Sequence, residues 1–251
     1  MLADAVFTLV LAFSRLAAVV AGLPIFSTLG TPRQAIVLVT VGVTILILPT
    51  LPITAAPATL DAVIVLVGVE VLYGFLTTLG IRAIFQSLSL AAELMSMQTG
   101  LAMATMFDPL QVQTSTMVGT VASWLSGMVF LGMGLHLYVL QMLADSFTKV
   151  PPGHLAPSPD LPQAIIATVG WHFTLGVQLA GPMLAMVFVV NVLVAILARL
   201  APRMNVFFSI GLTATTIGGM TLFWLSLPWI LTLHADAMKK IIAAFPSWLG
   251  M

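Results

Sequence analysis

The side chains that most often carry chemistry are few and scattered in this sequence. It has no cysteine, so it contains no disulfide, thiolate metal site or cysteine nucleophile. The histidines at positions 136, 154, 172 and 234 show no i, i+4 pair and no H-E-x-x-H motif, so convergent metal ligands are not expected. The G-x-S-x-G elbow, the G-x-G-x-x-G phosphate loop and a Walker lysine are absent as well. The sequence therefore predicts no catalytic residue, metal or cofactor.

The composition is that of a membrane protein. Of the 251 residues 60% are hydrophobic and 6% are charged, against about 25% charged in an average soluble domain. Eight basic and eight acidic side chains cancel, so no electrostatic footprint points to nucleic acid. Partners are therefore expected to bind through apolar contact.

Six stretches are apolar enough to cross a membrane as helices, for which about 20 residues are needed. They are residues 5–29, 34–54, 61–90, 117–143, 164–198 and 206–233. The first has no basic region ahead of it, so we expect a retained helix rather than a cleaved signal peptide. The alternating pattern of a closed barrel is absent. The sequence predicts an all-α, polytopic membrane-associated protein with a single domain over residues 1–251.

Two features disturb a simple picture of six spans. The run 164–198 is long for one crossing and has Gly181-Pro182 in its middle, so it is expected to be a hairpin or a bent element. If the spans alternate, the basic residues also divide equally between the two sides, and the positive-inside rule gives no orientation. Both features indicate that neighbouring proteins help to place these helices.

Among the polar residues inside predicted spans are Arg15, Glu70, Arg82 and Asn191. Such groups usually face a bundle interior, a partner or water. For the two arginines, one interpretation is snorkelling or pairing at a helix end. The other is contact with a neighbouring subunit or an aqueous path. Glu70 and Asn191 are candidates for hydrogen bonds between helices.

The stretch AAELMSMQTGLAMATMFDPLQ, residues 91–111, is rich in polar and flexible side chains for so apolar a chain. Gly100 is expected to end a helix that contains Glu93, and Pro109 disfavours helix at the residue before it. Residues 100–109 are therefore predicted to form a loop between two helices. Methionine suits irregular and changing surfaces, so Met95, Met97, Met103 and Met106 would make a deformable apolar lining. The alternative is an ordinary core seam followed by a surface turn.

The order of residues in this stretch resembles the FliR family, the R component of the flagellar export gate, whose relatives serve injectisome type III secretion. In that family a Glu, a Gln two residues before a Gly, and an Asp-Pro pair bracket the same apolar segment. Here they are Glu93, Gln98, Gly100, Asp108 and Pro109. S-R-L-A (14–17), P-I-F-S-T-L-G-T-P-R (24–33) and N-V-L-V-A-I-L-A-R-L-A-P-R-M-N-V-F (191–207) resemble the family too. The resemblance spans nearly the whole chain, although Arg203 stands where the family usually has Gln.

The resemblance implies a fold in which a P-like helical unit with broken helices is joined to a Q-like helical hairpin. It implies a hetero-oligomer with the P and Q export-gate components (FliP, FliQ) and the B component (FlhB), in the bacterial inner membrane at the flagellar basal body. The chain would form pore wall and plug for unfolded flagellar subunits that cross the membrane. It would need no cofactor and carry no enzymatic activity.

The resemblance also assigns roles to residues of this chain. Plug or constriction residues would be Gly100, Met103, Met106 and Phe107, and the residues that anchor the plug would be Glu93, Gln98, Asp108 and Pro109. Asp108 would cap the helix that follows. Contacts to other subunits would be made by Arg15, Arg33, Asn191, Arg199, Pro202 and Arg203.

Other functions stay open at this point. An export-gate subunit of an injectisome would share these motifs. The residues found in the motifs favour a flagellar protein. A small-solute secondary transporter would also contain broken helices and charges in the membrane, but it should show repeated halves, and none are visible. An intramembrane enzyme would need a nucleophile or a metal constellation, which the sequence does not show.

Overall fold

The computed structural model describes residues 2–28, 30–100, 116–154, 161–200 and 210–248. Within these ranges the chain forms α1 (Leu2–Gly22), α2 (Pro24–Thr28), α3 (Arg33–Ile47), α4 (Leu60–Gln98), α5 (Met117–Gly132), α6 (Leu135–Lys149), α7 (Leu161–Leu200) and α8 (Leu212–Trp248). A short 3-10 turn, Leu48–Thr50, follows α3, and the described residues contain no strand. The prediction of an all-α, polytopic protein is confirmed.

The helices are long and apolar enough for a membrane protein. Five of the helical stretches could each cross a bilayer, or six if the bent pair α5 and α6 counts as one span. Hydroxyl groups on these helices donate to carbonyls one turn earlier, as Thr40 does to Ile36 at 2.8 Å and Thr168 to Ala164 at 2.8 Å. Such bonds matter in lipid because no water is there to satisfy a polar group.

Of the two alternatives predicted for the run 164–198, the hairpin is wrong, because α7 is one helix of 40 residues with Pro182 inside it. The other alternative, a bent element, stays a prediction. Proline removes one intrahelical hydrogen bond. Leu179, Met183 and Val187, spaced four residues apart across the proline, are all almost completely buried. Pro182 itself is exposed, and the burial of this stripe on both sides of it favours a continuous helix.

The predicted span 117–143 corresponds to a bent pair of helices, α5 and α6, which together could form one span. The chain breaks between α5 and α6, where Gly134 has φ +69°, a left-handed conformation that glycine adopts without strain. A Cβ at Gly132 or Gly134 would meet nothing within 4 Å. These two glycines therefore serve the break rather than close helix packing.

The chain folds into two compact units, each built from separate stretches of sequence. Unit 1 comprises residues 1–84, 130–169 and 238–251, and unit 2 comprises residues 85–129 and 170–237. α4, α5, α7 and α8 each contribute residues to both units. The prediction of a single domain stays a prediction. The same holds for the P-like and Q-like parts.

Unit 1 has a core in which α1 contributes one buried stripe. Leu11, Leu16 and Val19 have no exposed surface, as expected for apolar residues three to five positions apart on one helix face. Gly74 of α4 permits a close approach to this helix, since a Cβ there would lie 2.5 Å from the carbonyl oxygen of Arg15. α1 and α4 are thus packed nearly backbone to backbone.

Unit 2 has its own core, formed by residues of α4, α5, α7 and α8. It includes Leu88, Ala91, Ala92, Met95, Ala122, Leu175, Leu179, Ala180, Met183, Ile230 and Ala237. Inside it, Ser126 Oγ of α5 lies 2.9 Å from His234 Nε2 of α8, and both residues have no exposed surface. Two helices of unit 2 are therefore joined by a buried polar bond within an apolar interior.

Candidate functional site

The segment 101–115 carries most of the predicted plug, and the described residues show how the chain enters and leaves it. At the entry, α4 ends at Gln98 and Gly100 has φ +77°, so the prediction that Gly100 ends the helix is confirmed. Leu212 covers this glycine: a Cβ on Gly100 would lie 2.8 Å from Leu212 Cδ1. The left-handed backbone and the close neighbour both favour glycine here.

At the exit, Glu93 of α4 holds the start of α5. Its Oε1 atom accepts a hydrogen bond from the backbone N–H of Thr116 at 2.9 Å, and Thr116 Oγ1 accepts one from the N–H of Gly119 at 3.1 Å. Thr116 is thus the N-cap of α5. The negative carboxylate of Glu93 also interacts favourably with the positive N-terminal end of the helix dipole. Glu93 Oε1 occupies the place of a side chain on Gly119, so that residue must be small.

We expect Glu93→Ala to loosen the first turn of α5. The N–H of Thr116 loses its acceptor in a partly buried place, and one unpaired group of this kind costs about 1–3 kcal/mol. The measurement is amide hydrogen exchange of residues 116–120 in detergent-solubilised protein, which should become faster than in wild type. Glu93→Gln keeps an oxygen acceptor and should lie between the two.

The matched control for this prediction is Gln98→Ala, because Gln98 is exposed on the last turn of the same helix. That variant should leave the exchange of residues 116–120 unchanged. Equal exchange in wild type and Glu93→Ala would show that Glu93 does not hold the start of α5.

A cavity of about 260 Å³ lies in unit 2 beside the end of α4. Met95, Met117, Met183 and Met220 line it together with aromatic and aliphatic residues. Of the methionines expected to form a deformable lining, Met95 lines this cavity, whereas Met97 is 65% exposed. Met117, Met183 and Met220, the other methionines of this cavity, lie on three other helices. The local pattern of residues 91–111 could not reveal them.

The remaining predicted anchors and subunit contacts have different surroundings. Gln98, Arg33, Asn191 and Arg199 are exposed. Met103, Met106, Phe107, Asp108, Pro109, Pro202 and Arg203 lie outside the described residues. Their predicted roles stay predictions.

Arg15 lies in the interior of unit 1, where the structure pairs it with Glu70. Its Nε donates to Glu70 Oε2 at 2.5 Å and its Nη2 to Oε1 at 3.2 Å. Both side chains have no exposed surface. An arginine whose surface is wholly covered by its own chain has no side-chain surface for another subunit, so we assign Arg15 to the core of unit 1. Glu70 forms the bond between helices that was predicted for it.

Other groups of unit 1 satisfy the rest of the guanidinium. Nη1 donates to Ser146 Oγ at 3.3 Å and to the carbonyl of Val150 at 3.1 Å, and Nη2 donates to the same carbonyl at 3.1 Å. Tyr73 and Phe147 lie on its faces, with ring centroids 4.4 and 4.3 Å from Cζ. Glu70 Oε1 in turn accepts the N–H of Gly153 at 2.6 Å. This Arg15–Glu70 network joins α1, α4, α6 and the turn after α6.

The sequence did not lead to a prediction that Arg15 and Glu70 pair with each other. A signal was available, since Arg15 and Glu70 carry opposite charges inside the first and third predicted spans. Arg82 behaves similarly: its Nε donates to the carbonyl of Gly22, where α1 ends, at 2.5 Å. Arg82 is therefore paired at a helix end, as one of the two alternatives predicted.

No three histidine, aspartate or glutamate side chains of the described ranges come together as a group that could hold a metal ion. The polar side chains described above instead bind helix ends and backbone groups. Their arrangement holds segments of chain in place.

Comparison with known proteins decides the family. Residues 6–241 match the family described as bacterial export proteins, family 1. The chain belongs to the FliR family of bacterial export proteins. The FliR match covers the Arg15–Glu70 network, Glu93, Thr116 and most of α8.

Individual members of the FliR family are moderately similar to this chain. The flagellar biosynthetic protein FliR of Pectobacterium carotovorum subsp. carotovorum is 31% identical over 214 residues, which cover 84% of this chain and 80% of that protein. FliR of Caulobacter vibrioides is 30% identical over 165 residues, 66% of this chain and 65% of that protein. FliR of Escherichia coli K12 is 25% identical over 216 residues, 86% of this chain and 82% of that protein.

Proposed function

We propose that this chain is a subunit of the flagellar type III protein export gate. In this role it assembles with the P and Q components (FliP, FliQ) and the B component (FlhB) in the inner membrane, at the flagellar basal body. It forms pore wall and plug for unfolded flagellar subunits that cross the membrane. The observation that carries the proposal is the FliR-family match over residues 6–241, with relatives named as flagellar proteins.

The surface of the chain supports a place inside a larger assembly. Large apolar side chains are exposed on α3 and α7, among them Leu38 at 72%, Leu46 at 77% and Phe188 at 69%. Contiguous apolar surface requires lipid or a protein partner to cover it. In the proposed gate, the P and Q components cover part of this surface and lipid covers the rest.

The two held ends of segment 101–115 support its role as the plug. A plug must stay in place when the gate is closed, and Gly100 and Thr116 bracket the segment with one fixed turn and one capped helix. The segment contains three large apolar side chains, Met103, Met106 and Phe107. The two methionines are also unbranched. Such side chains can pack against one another to exclude ions and then rearrange around a passing polypeptide.

In this proposal the subunit performs no chemistry. Its charged groups are used within the fold, as Arg15 is by Glu70 and Glu93 by Thr116. The energy for export comes from other parts of the machine, and this chain supplies the passage and its closure.

The test is deletion of residues 100–107 in cells that carry the complete export machine. Membrane permeability to small ions and export of a hook or filament subunit are measured together, with the amount of assembled complex recovered on a tagged chain. We expect the deletion to make the membrane leaky by an order of magnitude or more while the complex persists, because the closing side chains are gone.

Replacement of residues 155–160 by glycine and serine is the control, since this segment joins α6 and α7 far along the sequence from the proposed plug. It should leave the membrane tight. If cells with the deletion stay tight and export normally, residues 100–107 are ordinary packing and the plug is wrong. Failure of the tagged chain to recover P and Q components would contradict the proposed assembly.

A further inference from the structure

The carbonyl of Thr99 is held by a residue of α8. The last carbonyls of an α-helix have no partner within the helix, and Thr99 directly follows the last residue of α4. Thr216 Oγ1 donates a hydrogen bond to this carbonyl at 2.8 Å. Thr99 has no exposed surface, and its own hydroxyl donates back to the carbonyl of Met95 at 2.9 Å. The end of α4 is thus closed by a side chain from a different helix.

One turn further along α8, Gly219 lets this helix come close to Thr99. A Cβ on Gly219 would clash with Thr99 Cγ2 and would lie 2.9 Å from Met183 Cε. Its neighbour Gly218 is different, because a Cβ there would make ordinary contacts with Met186 at 3.5 and 3.6 Å. The need for glycine is therefore specific to position 219, and Thr99 Cγ2 is the main obstacle, because Met183 Cε is the end of a flexible side chain that can move.

A third contact holds the next residue. Leu212, at the start of α8, covers Gly100 in its left-handed conformation, with its Cδ1 atom 2.8 Å from where a Cβ would be. Leu212, Thr216 and Gly219 lie three or four positions apart, on one face of α8. That face contacts Thr99 and Gly100, the last two described residues before segment 101–115.

We propose that Thr216 and Gly219 are positioning residues of the gate: they fix Thr99 and Gly100 against α8 and so set the point from which segment 101–115 departs. This inference rests on the proposed function of that segment as the plug. Neither residue touches the exported polypeptide in this role. Both act through the end of α4, and loss of either contact leaves the plug attached but misplaced.

The test compares hydroxyl and methyl variants in cells with the complete export machine. Thr216→Val removes the hydroxyl at nearly constant volume, and Thr216→Ser keeps it. Gly219→Ala adds a methyl group against Thr99, while Gly219→Ala combined with Thr99→Ser removes the methyl group that it meets. Gly218→Ala is the matched control. Ion permeability, export of a flagellar subunit and the amount of assembled complex are measured for each.

We expect Thr216→Val and Gly219→Ala to raise ion permeability at least threefold with wild-type amounts of complex. Thr216→Ser, the double variant and Gly218→Ala should be as tight as wild type. If these residues had a purely structural role, the variants would lower the amount of assembled complex and leave the ion permeability per complex unchanged. Adding Thr99→Ser to Gly219→Ala would then restore the amount of complex, with no effect on ion permeability. A variant complex at wild-type amount with wild-type permeability overturns the inference.

A second measurement decides the matter if Gly219→Ala assembles poorly. In purified Thr216→Val, the amides of Thr99 and Gly100 should exchange about fivefold faster than in wild type, the ratio expected for loss of one hydrogen bond. Unchanged exchange would overturn the inference. The two proposals fail differently: a leaky deletion of residues 100–107 with tight Thr216→Val and Gly219→Ala refutes only the positioning role, whereas a tight deletion refutes the plug itself.

Discussion

Replacement of Arg15 by methionine is expected to destabilise the protein more than any other single change considered for unit 1. Glu70 would keep its carboxylate in a place without exposed surface, with the N–H of Gly153 as its remaining described donor. Removal of one partner of a buried ion pair typically costs about 3–5 kcal/mol. Unfolding in mixed detergent micelles measures the loss, with retained secondary structure of the remaining helices as a check.

Two further variants separate the lost pair from the lost side chain. Arg15→Met with Glu70→Gln removes the uncompensated charge and should recover a large part of the stability, since an ion pair replaced as a whole is often nearly neutral. Arg33→Met is the control, because Arg33 is exposed and such changes usually stay within about 0.5 kcal/mol. A loss below about 1 kcal/mol in Arg15→Met would mean that the pair contributes little.

Gly74→Ala is expected to have the second largest effect. The added methyl group would lie 2.5 Å from the carbonyl oxygen of Arg15, 2.7 Å from Ala18 Cβ and 3.3 Å from the backbone nitrogen of Val19. Two of these atoms belong to the backbone of α1, which can move away only as a whole helix. Overpacking of this kind costs about 1–3 kcal/mol, and the shift of α1 would also strain the Arg15–Glu70 network. The same unfolding experiment measures it.

Gly68→Ala provides a matched control on the same helix. A Cβ at Gly68 would meet nothing within 4 Å, so the substitution should stabilise α4 by roughly 0.5–1 kcal/mol through helix propensity. The two alanine variants are therefore expected to change stability in opposite directions. Equal effects at both positions would show that α1 and α4 do not need their close approach at Gly74.

How far the fold follows from sequence can be seen at particular elements. The stretches 34–54 and 61–90 correspond well to α3 with its 3-10 turn and to α4, because length and apolar content decide whether a helix can span a membrane. The break at Gly134 was missed, since no proline or polar cluster marks it and the φ angle of one residue leaves no trace in hydropathy. At Pro182 only the hairpin alternative was wrong, because burial on both sides of the proline outweighed one lost hydrogen bond.

The candidate site was predictable in part for the same reasons. Gly100 was recognised as a helix end because glycine is the residue that leaves a helix most easily, and φ +77° agrees. Thr216 could not be recognised, since a threonine in an apolar helix usually bonds to its own backbone. Its bond to Thr99 joins residues 117 positions apart in sequence, and no local pattern announces such a pairing.

The bond between Ser126 and His234 restricts how the helices of unit 2 can slide. Displacement of α5 along α8 by one helical turn, about 5.4 Å, would break a contact of 2.9 Å and strand two polar groups in an apolar interior. Each stranded group would cost about 1–3 kcal/mol. Piston-like motion between these helices is therefore opposed, while a small rotation about the bonded pair leaves it intact. The bond works as a pivot, and any rearrangement that widens unit 2 must carry α5 and α8 together at this point.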